Sequence, residues 1–189
     1  MKDHGPWKIK SSEIKYKNPW IEVREDQVIR PDGKDGVYGV YSQAPGVSVL
    51  ALDDKGYAYL VSEFRYAIGQ DSLETVSGAI DAGEQPLETA KRELQEEAGV
   101  VAGEWTDLGR IEALSSTVSA PQNLFLAQKL EFTEHDREPN EILEVKKVLF
   151  SDAVQMVMDG RISYGPTCVL ILKAERFLEK SGSEILTKA

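Results

Sequence analysis

Residues 92–100 read RELQEEAGV, which places Glu93 and Glu97 one helical turn apart. A like-charge pair at i,i+4 weakens a helix by about 0.2–0.5 kcal/mol. No Lys or Arg stands three or four residues from either acid to offset that repulsion. Two carboxylates held together and partly desolvated share a proton, bind a cation, or take a basic partner from elsewhere in the fold. Carboxylate oxygens are hard ligands, which suits Mg²⁺ or Mn²⁺.

The segment that presents these acids reads as a helix with clear ends. Gly83-Glu84-Gln85-Pro86 opens it, since proline suits the first turn and an acid there meets the positive end of the dipole. Gly99 closes it in the C′ position. Leu87, Ala90, Lys91, Leu94 and Ala98 recur at about 100° per residue and form the predicted buried stripe. Glu93 and Glu97 lie beside that stripe, near Ala90. Glu88, Arg92 and Glu96 form an i,i+4 ladder of opposite charges, the pattern of a solvated face.

Around this helix the chain is rich in strand signals. Trp20–Arg24 (WIEVR) alternates apolar and polar residues, and Pro31-Asp32-Gly33 is turn chemistry between Gln27–Arg30 and Val37–Ser42. Val47–Leu52 and Tyr57–Phe64 flank the Asp54-Lys55-Gly56 turn, and Leu73–Val76 runs into Ser77-Gly78. Further strands are predicted over Trp105–Leu114, Leu124–Phe132 and Glu144–Phe150. Helices are predicted over Asp152–Met158, stopped by Gly160, and from Pro166 to Glu179. Many strands with few, segregated helices point to an α+β layered fold. The expected organisation is an N-terminal β extension over residues 1–45 and a main domain over 46–189.

Bulk properties narrow the class. The 189 residues are 41% hydrophobic and 29% charged, as in ordinary globular proteins. The start, MKDHGPWKIK, lacks the apolar stretch of a secretory signal, and no run is long enough to span a bilayer. One cysteine excludes an intramolecular disulfide and fits a reducing, cytoplasmic setting. Cys168 lies in the apolar run CVLIL and reads as a small core residue. A net charge of −10 argues against nucleic acid as a partner. It also repels phosphorylated ligands unless cations or local arginines neutralise the field. His4 and His135 carry no visible role.

From Gly78, five residues lead to Glu84, seven more lead to Arg92-Glu93-Leu94, and Gln95, Glu96-Glu97, Ala98 and Gly99-Val100 follow. Every fixed position of the Nudix box is filled, so the chain resembles the Nudix hydrolases. The resemblance implies an α/β/α sandwich around a mixed β-sheet, with a loop and helix that hold divalent metal against a diphosphate. It implies Glu93 and Glu97 as principal metal ligands, Glu96 as an auxiliary one, and the backbone carbonyl of Ser77 completing the site. Gly78, Glu84, Arg92 and Gly99 take structural roles in the box, Arg92 bracing it through Glu84.

Glu63–Glu84 (EFRYAIGQDSLETVSGAIDAGE) is similar to the ADP-ribose pyrophosphatase branch, which acts on nucleoside diphosphate sugars. That resemblance implies that Arg65 reaches the substrate phosphates; a surface ion pair with Glu63 or another acid is the alternative. Asn18–Val28 (NPWIEVREDQV) resembles the N-terminal strand region of the same branch, which implies a homodimer and an aromatic residue that stacks on the base. Trp20 is the candidate, against an ordinary packing role. The branch places its general base on a loop before a late strand. In EHDREPNEILEV, Glu141 matches that position, with Glu138 and Glu144 as alternatives. The implied reaction is metal-assisted attack of water on one phosphorus, with Glu141 taking the proton.

Two departures are visible. Val76-Ser77-Gly78 stands where the branch often has Pro-Ala-Gly. A proline usual in ADP-ribose-preferring members falls on Ser115 here, and Pro121 comes later, which favours a broader range of nucleoside diphosphate sugars. A nucleoside triphosphate pyrophosphohydrolase and a non-catalytic nucleotide-binding module are the competing readings. The long N-terminal extension and Arg65 argue against the first, and the complete box against the second.

Overall fold

A computed structural model of the chain describes residues 1–133 and 142–182. It divides into two compact units, residues 1–45 with 112–121, and residues 46–111 with 122 onward.

The first unit is a five-stranded sheet in the order β1-β2-β3-β4-β10. Its strands are β1 (Lys2–His4), β2 (Trp7–Lys17), β3 (Ile21–Ile29), β4 (Asp35–Gln43) and β10 (Val118–Ser119). The hairpin β3–β4 turns at Asp32-Gly33, where Gly33 adopts φ 81° and Asp32 accepts the Lys34 N–H. β3 runs unbroken through both segments that the sequence pattern kept apart, Trp20–Arg24 and Gln27–Arg30. β2 was not anticipated. It is exposed along most of its length and carries two register shifts against β3, so it has no clean alternation to read. β10 pairs in parallel with β4 and draws residues 112–121 into this unit, beyond the expected boundary at residue 45.

The second unit is built on β5 (Gly46–Leu52), a fully buried strand. β6 (Tyr57–Arg65) and β8 (Val76–Ala79) pair with it antiparallel, and β11 (Pro121–Phe132) pairs with it in parallel. β12 (Leu143–Leu149) and β7 (Gln70–Glu74) flank β6, and β9 (Val100–Glu112) lies outside β11. The sheet is therefore mixed.

The period of two along β5 sorts the cores. Val47, Val49 and Ala51 face a cluster containing Ala90 and Leu94 of helix α1 (Pro86–Ala98). Leu50 and Leu52 face α2 (Phe150–Met158) and α3 (Gly165–Ser181), through Phe150, Ala153, Leu170, Ile171, Ala174 and Leu178. One helix covers one face and two cover the other, an α+β sandwich. Cys168 is half-buried at the edge of the second cluster, and burial raises its thiol pKa.

At the far end of β5, Asp53 accepts the backbone N–H groups of Lys55 and Tyr57 and the Tyr59 hydroxyl. Lys147 of β12 closes on the same carboxylate at 3.3 Å and lies 4.3 Å from the centre of the Tyr57 ring. Nearer the acidic helix, Thr75 separates β7 from β8. Its N–H donates to Thr167 Oγ1 at 2.9 Å, and the two hydroxyls are 3.0 Å apart, all fully buried. This bond ties the entry of β8, which carries Ser77 and Gly78, to the first turn of α3. Thr167→Val should leave the Thr75 N–H buried without its acceptor. A loss of about 1–3 kcal/mol is expected, read as a lower urea midpoint at unchanged slope.

Candidate active site

Helix α1 follows an extended Gln85 at its N-cap, starts on Pro86 and is capped by Gly99, whose left-handed φ of 63° lets its N–H reach the Gln95 and Leu94 carbonyls. Its buried residues are Thr89, Ala90, Glu93, Leu94 and Glu97. Lys91, predicted on the buried stripe, is exposed and pairs with Glu88 at 2.9 Å. Thr89 is buried instead, because the covered stripe lies one residue further round the helix. Glu88 is thereby taken from the predicted ladder with Arg92.

Glu93 and Glu97 are 8% and 9% exposed, unusual for unsupported carboxylates. The backbone of β8 explains part of their placement. Ser77 and Gly78 pair with Ser48 and Val47 of β5, on the strand over which α1 packs. A Cβ on Gly78 would overlap the carboxyl group of Glu93, so the missing side chain makes the space that this carboxylate fills.

Arg92 is the local cation. Its Nε and Nη2 donate to the two carboxylate oxygens of Glu84 at 3.2 and 3.3 Å. Its Nη1 lies 2.8 Å from Glu93 Oε1 and 2.9 Å from Glu96 Oε2. The partner that helical spacing did not supply thus comes from the adjacent residue. Hydrogen bonding to Arg92, then to Thr89, holds the Glu84 carboxyl below its ordinary value. The same Glu84 bonds, opposed by burial and joined by the charge of Glu93, push Arg92 up.

Among the described residues, no three acidic, His or Cys side chains converge into a ready-made metal cage. The donor set nonetheless fits a hard divalent cation. It offers two buried carboxylates on neighbouring turns and a third beside them on Arg92.

Arg65, at the end of β6, spends its guanidinium on Glu74 and Glu63. Burial opposes its charge, but the Glu74 hydrogen bonds and both acids outweigh that and raise its pKa. Trp20, in the first unit, is 73% exposed and not a core residue of this chain. Glu141 and Glu138, like His135, lie outside the described residues. Glu144 is exposed on β12, 2.5 Å from Lys146. His4 lines a cavity in the first unit with Trp7, Arg24 and Tyr38. Arg24 was not anticipated. It pairs with the buried Asp26, whose burial is outweighed by bonds from Arg24 and Ser12 that lower its pKa.

Residues 42–164 match the model of the NUDIX domain. The chain belongs to the Nudix family. Residues 7–41 match the model of the nucleoside diphosphate sugar hydrolase N-terminal domain. This Nudix hydrolase is 31% identical over 153 residues to an ADP-ribose pyrophosphatase of Bacillus subtilis, covering 80% of this chain and 83% of that protein. It is 28% identical over 146 residues to a GDP-mannose pyrophosphatase of Yersinia enterocolitica, covering 72% and 76%. The crystal structure of an ADP compounds hydrolase matches it with a TM-score of 0.83, over 96% of this chain and 99% of the other, at 21% identity. That likeness shows the Nudix fold. Nudix hydrolases generally need a divalent metal. No helix among the described residues is long and apolar enough to cross a membrane.

Two outcomes follow from this geometry. Because the folded Glu84 pKa is depressed, its contribution to stability is complete above the ordinary value of 4.5 and is lost as pH falls through the lower folded value. Glu84→Gln should therefore be less stable than the parent at pH 7, with the gap narrowing on acidification, as read by melting temperature against pH. Divalent cations should raise the melting temperature of the parent, and Gly78→Ala, by displacing Glu93, should abolish that rise.

Proposed function

We propose that this Nudix hydrolase cleaves the pyrophosphate bond of nucleoside diphosphate sugars, ADP-ribose among them, to a nucleoside monophosphate and a sugar phosphate. The observation that carries this reading is the pairing of a complete Nudix box with an N-terminal segment, residues 7–41, of the nucleoside diphosphate sugar hydrolase type. Relatives named for ADP-ribose and for GDP-mannose favour a range of nucleotide sugars.

Glu93 and Glu97, aided by Glu96 and the Ser77 carbonyl, would hold the divalent cation, Mg²⁺ or Mn²⁺. When bound, that cation neutralises the diphosphate and polarises its phosphorus. Arg92 and Glu84 keep the box loop against α1, and Gly78 keeps Glu93 in place. Arg65 binds a phosphate oxygen through the outward edge of its guanidinium. Glu141 accepts the proton of the attacking water, and the oxygen bridging the two phosphates leaves with one of them. Glu138 and Glu144 are the alternative acceptors; the Lys146 contact of Glu144 makes it the weaker one.

In the extension, residues 1–45, Trp20 offers an open aromatic face to a base. Ile14, Tyr16 and Val37 are also exposed there and support a homodimer formed through this region. The chain's acidity disfavours nucleic acid and calls for cations or local arginines to bring in a small anionic substrate, and its single cysteine supports a cytoplasmic setting.

The test is a substrate panel of ADP-ribose, GDP-mannose, ADP-glucose, diadenosine polyphosphates and deoxynucleoside triphosphates, each with Mg²⁺ or Mn²⁺. Turnover of the nucleotide sugars is expected, and Glu141→Gln should cut kcat by about 10²–10⁴-fold with little change in KM. Turnover confined to triphosphates would transfer the reading to that class. A raised melting temperature with no turnover of any compound would indicate a binding module.

A further inference from the structure

The guanidinium of Arg65 is gripped unequally on its two sides. Nε and Nη2 donate to Glu74 at 3.1 and 2.6 Å, and that carboxylate is only 4% exposed. Nη1 lies 2.7 Å from Glu63 Oε2, in a pair whose side chains are 35% and 32% exposed. One acid is a buried, two-bond anchor, and the other is a single contact in reach of water.

The position of this trio gives the asymmetry a use. Glu63 and Arg65 stand two apart on β6 and so share the sheet face of Tyr59 and Val61, in the core cluster that holds α1. Glu74 pairs with Val61 across β6–β7, three residues before Ser77. Glu63 pairs with Leu143 at the start of β12, two residues after Glu141. The trio thus adjoins both the strand that leads into the box and the start of β12.

We propose that Glu63 is a specificity-determining residue, an internal anion on the outer edge of Arg65 that substrate phosphate must displace and that disfavours the more highly charged substrate. This rests on the reading that Arg65 meets the diphosphate. Glu74 keeps the guanidinium in place while the exchange occurs. A half-exposed single contact is weak, whereas a phosphate can take two charge-assisted bonds from the outward N–H groups. The displaced carboxylate remains on the same short stretch of strand, so it repels the bound phosphates. The repulsion is larger for a nucleoside triphosphate than for a nucleoside diphosphate sugar. Discrimination then comes from an unfavourable contact with the wrong ligand, not from an added contact with the right one.

The test compares the parent, Glu63→Gln, Glu63→Asp and Arg65→Lys on ADP-ribose and ATP with Mg²⁺, with Kd values for ADP and ATP by calorimetry. Melting temperatures verify that each variant is folded. Glu63→Gln should lower KM for ADP-ribose by about two- to five-fold with kcat within about two-fold. It should tighten ATP more than ADP, while Glu63→Asp keeps the parent's preference. Arg65→Lys should raise KM for both compounds. If Arg65→Lys raises KM but Glu63→Gln leaves both KM and the ADP-to-ATP preference unchanged, the filter is overturned and the Arg65 contact stands. If Arg65→Lys changes neither KM nor Kd, the phosphate contact and the filter fall together. A parent that binds ADP with the expected Glu63 effect yet hydrolyses no nucleotide sugar would overturn the proposed reaction alone.

Discussion

Two carboxylates buried one turn apart on a packed helix set the terms for the rest of this structure. Charge removed from water needs a counter-charge or an ordered set of donors, since burial alone penalises the ionised form. Here the chain supplies Arg92, which binds Glu84 with one edge and meets Glu93 and Glu96 with the other. That single guanidinium links the loop before α1 to the acids on it. Gly78 contributes by omission, leaving room where any other residue would collide with Glu93.

The supporting layers make this arrangement rigid. β5 is buried throughout, and its alternating side chains feed one core under α1 and another under α2 and α3. The Thr75–Thr167 bond fixes the strand break just before Ser77 against α3. The carboxylates therefore stand on a helix, and the backbone facing them on a paired strand, both elements with little freedom. A site assembled on such elements is positioned more closely than one built from loops.

Much of this was legible in the residues. VSVLAL and YAYLVSEF announced β5 and β6, and Gly99 and Gly160 ended their helices where glycine tolerates a positive φ. The Nudix box was legible as a spacing of fixed residues. What escaped depends on partners distant in sequence. β2 is mostly exposed and interrupted by register shifts, so its residues carry no strong period. The two residues of β10 form a strand only because β4 lies beside them. Lys91 sits at the margin of the helical stripe, where a shift of one position decides burial. An ion pair of Arg65 with Glu63 or another acid was open from the sequence, but the buried two-bond grip of Glu74, nine residues on and across the β6–β7 connection, was not. Side-chain charge networks are set by tertiary geometry, and local periodicity holds little record of them.

The course of the chain through its first unit has a consequence for how the protein is made. Residues 1–45 form four strands, but the fifth, β10, is encoded between β9 and β11 of the other unit. During synthesis, the N-terminal meander can emerge and pair with itself, yet its sheet must wait for residues 118 and 119 before its last edge is occupied. The β4 edge is thus left open while residues 46–111 of the other unit are being translated, an interval in which an unoccupied strand edge can recruit another chain.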